Sequence, residues 1–423
     1  MRFRYLKLSN VYKYALTFLI FLVIISSASI WVQEDVRLIS PEIIRLAIWV
    51  ISAGLILVRL KSLRDSYYLI LIAICFMGYS VFNESYILGA LYNVFIPIIL
   101  FYILGKVNSK QQPYLICECF VNVMCFLAII SLIFFVTASI LRIIPPTGHL
   151  SYHWSWINSI PSYFHLYYEP IPGRITQLGM PKNCGIFPEA PMFNYPLCIA
   201  LGMDVLLLED ENKRKRIILI ATIITTASTS GFLFLIGLYG YLFIKKYGLK
   251  NIIIKVIAAG AVAFVGYRIV SSILERKTQT ASYSIRYDHL YACIQTIVRT
   301  RFMGSGVGNN SILESYMSYR QGASLGFLYL LAIGGVFCVL LFLTPVIISA
   351  IQGLRFKNYN VPCFAILFFM LVFLTQVVFR NNMWFVIGTV FMNADSILIP
   401  VMESENKHTN KKLKIKHFKL KGI

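Results

Sequence analysis

Acidic residues are scarce. The 423-residue chain has 18 Asp and Glu against 39 Lys and Arg, and charged residues of both signs make up only 13% of it. A soluble domain carries about 25% charged residues, so a water-soluble globular fold is excluded. Histidines number six, and the nine cysteines are scattered with no CxxC pair, which leaves no disulfide framework and no metal-cluster motif. Most of the cysteines sit inside apolar runs, where buried thiols are found. Strict apolar–polar alternation is missing too, and with it the signature of a membrane β-barrel.

What the chain has is hydrocarbon. It is 58% hydrophobic, with a mean hydropathy of +0.72. Successive apolar runs reach the ~20 residues that a helix needs to cross a bilayer core of ~30 Å. Backbone groups in lipid must be satisfied within the segment, so these runs are expected to be helices. The fold class expected is an all-α polytopic integral membrane protein of about 12 transmembrane helices with two large extracytoplasmic loops.

The net charge of +21 is placed for a membrane and not for nucleic acid. Arg2, Arg4, Lys7 and Lys13 lead the chain, and Lys407, Lys411, Lys412, Lys414, Lys416, Lys419 and Lys421 close it. Basic residues beside transmembrane helices mark the cytoplasmic side. The first run, Tyr14 to Trp31, lacks a small-residue cleavage pattern and reads as a retained helix. Runs at 14–32, 42–58, 66–82, 86–104, 114–141 and 191–208 give six crossings, and 252–273, 324–351, 361–379 and 384–401 give four more. Between them, 217–244 has basic residues at both ends, so it is expected to fold back at "TASTSG" (226–231). Each half is short for a crossing, which is tolerated only where backbone faces protein or a water-filled cavity. The divisions are 1–141 (helices 1–5), 142–190 (first outer loop), 191–273 (helices 6–9), 274–322 (second outer loop), 323–402 (helices 10–12) and 403–423 (basic cytoplasmic tail).

Nine of the fifteen prolines lie between Pro145 and Pro196, so the first outer loop is expected to be irregular. Its aromatic residues, Tyr152, Trp154, Trp156, Tyr163, Phe164, Tyr167 and Tyr168, suit an interfacial belt or a stacking surface for sugar rings. His149 and His153 have a zinc-like i, i+4 spacing without a third ligand. Further on, "GRITQLGMPKNCGIFPEAPMF" (173–193) places Arg174, Lys182 and Glu189 among five helix-hostile residues. The second loop carries Arg286, His289, Arg299 and Arg301 before a Gly-rich turn, then Arg320, and 286–299 fits a short amphipathic helix at the interface. Outward arginines defy the positive-inside bias. They suit lipid headgroups, or a pyrophosphate gripped bidentately by planar guanidinium groups.

Together these stretches resemble the bacterial O-antigen polymerases (Wzy type) of the O-antigen ligase/polymerase superfamily. Arg174 and Gly185 reproduce an Arg-x10-Gly spacing, "GIFPEAP" is similar to the family's Gly-Leu-Phe-x-Glu-Pro stretch, and "TASTSG" and "FMGSGVGNN" resemble its hydroxyl-rich and Gly-rich turns. The second loop has no strict Arg-x10-Gly, and the histidine of the ligase branch is replaced by Ser324 and Leu325. The resemblance implies a glycosyltransferase in the bacterial inner membrane, with its active site facing the periplasm and no cofactor. It would join oligosaccharide repeat units carried on undecaprenyl pyrophosphate. A flippase and a chain-length regulator are implied as partners. Arg174 and Arg286 are expected to hold the pyrophosphate with Arg299 or Arg320 assisting, and Glu189, ahead of His289, to be the general base. Glu189 is equally suited to capping helix 6 or pairing with Lys182. The alternatives are a ligase of the same superfamily, a lipid-linked sugar flippase, and a metal-dependent transferase using Glu34 and Asp35.

Overall fold

The computed structural model describes residues 2–33, 38–60, 66–109, 111–151, 159–170, 181–208, 212–247, 281–318, 325–375 and 379–395. Its helices are α1 (Arg2–Ser26), α2 (Pro41–Arg59), α3 (Tyr67–Phe82), α4 (Glu84–Ser109), α5 (Leu115–Ile140), α6 (Ala190–Leu208), α7 (Lys213–Thr225), α8 (Thr229–Tyr247), α9 (Ala281–Arg299), α10 (Gly326–Arg355), α11 (Asn360–Leu374) and α12 (Asn381–Thr389). Five of them, α2, α4, α5, α6 and α10, are long and apolar enough to cross a membrane, and α3 and α11 are shorter apolar helices. The chain is therefore a mostly helical membrane protein. The crossing expected at 252–273, the Glu34–Asp35 pair, His153 and the basic tail lie outside the described residues.

Burial ranks the helices. The most apolar 18 residues of α6 are 89% buried inside the protein, against 28% for α2. A helix apolar all round belongs at a centre, and α6 packs on α5, α7 and α8. On α3 the residues Ile70, Ile74, Met77 and Val81 stay exposed. Their spacing of four, three and four draws one lipid-facing stripe down a helix.

One end of the bundle carries a three-stranded antiparallel sheet of β1 (Gly148–Ser151), β2 (Ser159–Tyr163) and β3 (Tyr167–Tyr168), with β2 central. Gly148 lies opposite Ser162, and Ser162 opposite Tyr168. The loop expected to be irregular thus carries a small sheet, on a chain that is otherwise mostly helical. Pro161 hid the strand, because proline in a ladder ordinarily argues against a central strand. The aromatic belt is corrected as well. Tyr163, Tyr167 and Tyr168 are fully buried, Tyr167 stacking on Phe134 of α5, while Phe164 is exposed. Tyr152, Trp154 and Trp156 lie outside the described residues.

The long α10 is broken at Gly335, inside an unbroken apolar run. Gly335 has φ 66° and ψ −171°, backbone that only glycine adopts readily. The turn Met303–Val307 threads into this break. Ser305 N donates to Ala332 O and Gly306 N to Ile333 O, both at 3.0 Å, and Val336 N donates to Phe302 O at 2.9 Å. The turn is pinned from the other side by α3 and its C-cap: Val307 N donates to the Tyr79 hydroxyl at 2.7 Å, and Asn83 Nδ2 to Met303 O at 3.0 Å. The turn thereby supplies partners to Ala332 O, Ile333 O and Val336 N, which the break takes out of the helical ladder inside an apolar bundle.

Candidate functional site

At the sheet end, the head of α6 is fixed by the segment Asn183–Glu189. Gly185 takes φ 57°, which turns its carbonyl to accept from Tyr168 N at 3.0 Å, and Ile186 O accepts from Ile30 N at 2.9 Å. The buried Asn183 holds the middle. Its Oδ1 accepts from Gly185 N at 3.1 Å. Its Nδ2 donates to Ser131 Oγ at 3.2 Å and Thr225 Oγ1 at 3.1 Å.

Thr225 belongs to the fold-back expected at 226–231. Here α7 has 13 residues, about 20 Å at 1.5 Å per residue, too short to cross alone. It runs beside α6 and turns at Thr226–Ser228, with Ala227 at φ 47°. Two links set its depth. Arg216 Nε donates to the fully buried Asp204 at 2.7 Å near one end, and Asn194 Nδ2 donates to Ser230 Oγ at 3.2 Å near the other. Asp204 is held inside the bundle by Arg216, which costs less than an unpaired buried charge. The tip is a pocket of hydroxyls: Ser228 and Ser230 meet at 2.9 Å, and Thr222, Thr226, Ser228 and Ser230 are all buried. Gly231 lets Asn194 approach the α8 backbone, since a Cβ there would collide with Asn194 Oδ1.

Glu189, half-buried, lies between Asn183 and Asn194 in the chain. It occupies the cap position of α6 with φ −141° and ψ 145°, but its side chain makes no capping hydrogen bond. Beside it, burial pushes the Cys184 thiol well up.

A second buried carboxylate went unnoticed in the sequence. Glu169, 1% exposed, takes Arg142 Nη1 at 2.6 Å and Nη2 at 2.8 Å, and the Tyr163 hydroxyl donates to it at 3.2 Å. The hydrogen bonds to Glu169 raise the pKa of Arg142, and burial raises that of Tyr163. Arg142 is at φ 55°, just beyond α5. No local pattern joins residues 27 positions apart; only the sheet brings them together.

The residues expected to act are divided. Arg174 and Arg320 lie outside the described residues. Arg286 and Arg299 are both exposed on α9, and thirteen residues of helix separate them by about 20 Å along its axis. Of the two arginines expected to assist Arg174 and Arg286, Arg299 is therefore set well away from Arg286. Arg299 Nη1 reaches the Tyr316 hydroxyl at 3.4 Å. His289 is 1% exposed, on the face of α9 packed with Ala292, Cys293 and Ile297 against Ala332 and Ile333. A base must reach the proton it removes, so His289 is corrected to a core residue. Among the described residues no group of three or more His, Cys, Asp and Glu side chains could hold a metal ion. No protein-family model and no curated protein matches the chain.

Proposed function

We propose that the chain is a surface-polysaccharide polymerase that joins oligosaccharide repeat units carried on a polyprenyl pyrophosphate, at the sheet end of the bundle. One observation carries the reading. The two stretches that resemble O-antigen polymerases most closely, "GIFPEAP" and "TASTSG", lie some 40 residues apart, yet Asn194, just after the first, bonds Ser230 within the second, and Asn183, just before the first, bonds Thr225, which leads into the second.

In this reading the hydroxyl of one repeat unit attacks the anomeric carbon of the growing chain. The bond from that carbon to the diphosphate oxygen breaks, and the lipid pyrophosphate leaves with the electron pair. The proton passes to the Glu189 carboxylate, the half-buried base at the head of α6. Arg286, with Arg174 and Arg320, stabilises the negative charge on the leaving group without a metal.

The test is a gel of surface polysaccharide from cells carrying Arg286→Ala or Glu189→Gln. The expected result is single repeat units in place of a ladder. A normal ladder from both variants overturns the reading, and so does loss of all units, which points to transport. Polymer accumulating on the carrier lipid after deletion of the protein points to ligation and overturns it too.

A further inference from the structure

Besides the face that packs into the protein, α9 has a second apolar face. Tyr287, Tyr291, Ile294 and Val298 are between 46% and 65% exposed. At about 100° per residue they fall within a strip some 60° wide, about opposite the buried His289, Ala292, Cys293 and Thr296. Their spacing of four, three and four is the one that Ile70, Ile74, Met77 and Val81 show on α3.

The two flanks between these faces differ. Asp288, Gln295 and Arg299 share one, and Arg286, Leu290 and Ile297 the other. Asp288 accepts from Ser318 N at 2.9 Å, and Arg299 donates to Tyr316, so the segment after the Gly-rich turn lies along the first flank. A polar flank that runs for three turns, with a charged Arg286 on the opposite flank, argues against a crossing, which would bring both into hydrocarbon. It fits a helix lying flat at a membrane surface. The exposed strip also continues an apolar surface. Phe302, 56% exposed, follows Val298 by one turn, and its carbonyl binds Val336 N. The next residue, Phe337, stacks on the exposed Phe82 at the end of α3.

We infer that α9 lies in the plane of the membrane surface at the sheet end. Tyr287, Tyr291, Ile294 and Val298 sit among the lipid chains, and the Asp288–Gln295–Arg299 flank, partly covered by the segment around Tyr316 and Ser318, lies on the water side. The occupant of the strip is the bilayer: tyrosines at one end and aliphatic residues at the other suit the headgroup boundary, and the strip is continuous with the lipid-facing side of α3. This inference is independent of the proposed reaction.

The test uses the full chain in lipid nanodiscs with a nitroxide at Ile294→Cys or at Gln295→Cys, both on the outside of the helix. Label on the native thiols, eight of them buried, is measured on the unsubstituted chain. Collision with oxygen is expected to exceed collision with a water-soluble nickel chelate at 294, and the order to reverse at 295. Val298→Cys repeats the first measurement if the label at 294 disturbs the fold. Nickel exceeding oxygen at 294 and 298 overturns the inference. Loss of both collisions with spin–spin broadening overturns it as well, because a second copy then covers the strip.

Discussion

Asn183 and Thr225 are joined twice: Asn183 N donates to Thr225 O at 3.0 Å, and Asn183 Nδ2 to Thr225 Oγ1 at 3.1 Å. A backbone bond and a side-chain bond between the same two residues fix both position and rotation of the fold-back. The short α7 is thereby held at a set depth beside α6, where hydroxyls that lipid would not tolerate are shared among protein groups.

Asn183→Ala removes three side-chain hydrogen bonds in a buried site and leaves Ser131 and the amide of Gly185 short of partners. The expected loss is about 1–3 kcal/mol. It is read as a lower midpoint of thermal unfolding in detergent, together with a weakened polysaccharide ladder. Asn183→Asp gives the same direction, since it replaces two donated bonds with a buried charge. An unchanged midpoint in both variants would mean that Thr225 is held by the backbone bond alone.

The Arg142–Glu169 pair is asymmetric: Glu169 is buried, whereas the Arg142 side chain is 53% exposed. Removing the arginine strands a carboxylate in the interior. Removing the carboxylate releases an arginine that can turn to water. Arg142→Ala is therefore expected to destabilise by up to about 3 kcal/mol, and Glu169→Gln by about 1 kcal/mol. Denaturation of the two purified variants ranks them, and the reverse order contradicts the asymmetry.

Gly335→Ala places a methyl group against Met303 O and the Gly304 amide at a φ of 66°. That backbone, a region held almost only by glycine, alone costs an L-residue about 1–3 kcal/mol, and the collision adds to it. A drop in expression and in thermal midpoint is expected, larger than for Gly308→Ala, where φ is positive but a Cβ meets open space. Equal effects at the two sites would show that conformation, and not the threaded turn, sets the cost.

Apolar length and the basic residues beside it made the crossing helices legible, since a bilayer admits few alternatives. The fold-back was legible for the same reason: basic residues at both ends of 217–244 leave the chain nowhere to go but back. What stayed hidden depends on distant partners. Pro161 reads as a strand breaker until the sheet is seen around it, and Gly335 as one more apolar helix residue until Met303 and Gly304 are seen against it. Neither Glu169 nor Arg142 carried a motif. For the arginines, composition indicated charge on one side of the membrane but not spacing, which α9 sets by its rise.

That spacing makes the roles of Arg286 and Arg299 separable. If Arg286 grips the diphosphate, Arg286→Ala loses a charge-assisted hydrogen bond of about 1.5–3 kcal/mol, roughly 10- to 100-fold in affinity for a polyprenyl pyrophosphate. Arg286→Lys restores the charge but not the bidentate fork and recovers only part. Arg299→Ala gives up a long contact to Tyr316, about 20 Å away along the helix, and leaves that affinity within about twofold. The two substitutions add when combined, as separate sites do. Titration of the purified variants with a fluorescent polyprenyl pyrophosphate in nanodiscs decides it. Equal losses at 286 and 299 would show that the guanidinium groups act through the general surface potential and that neither defines a site.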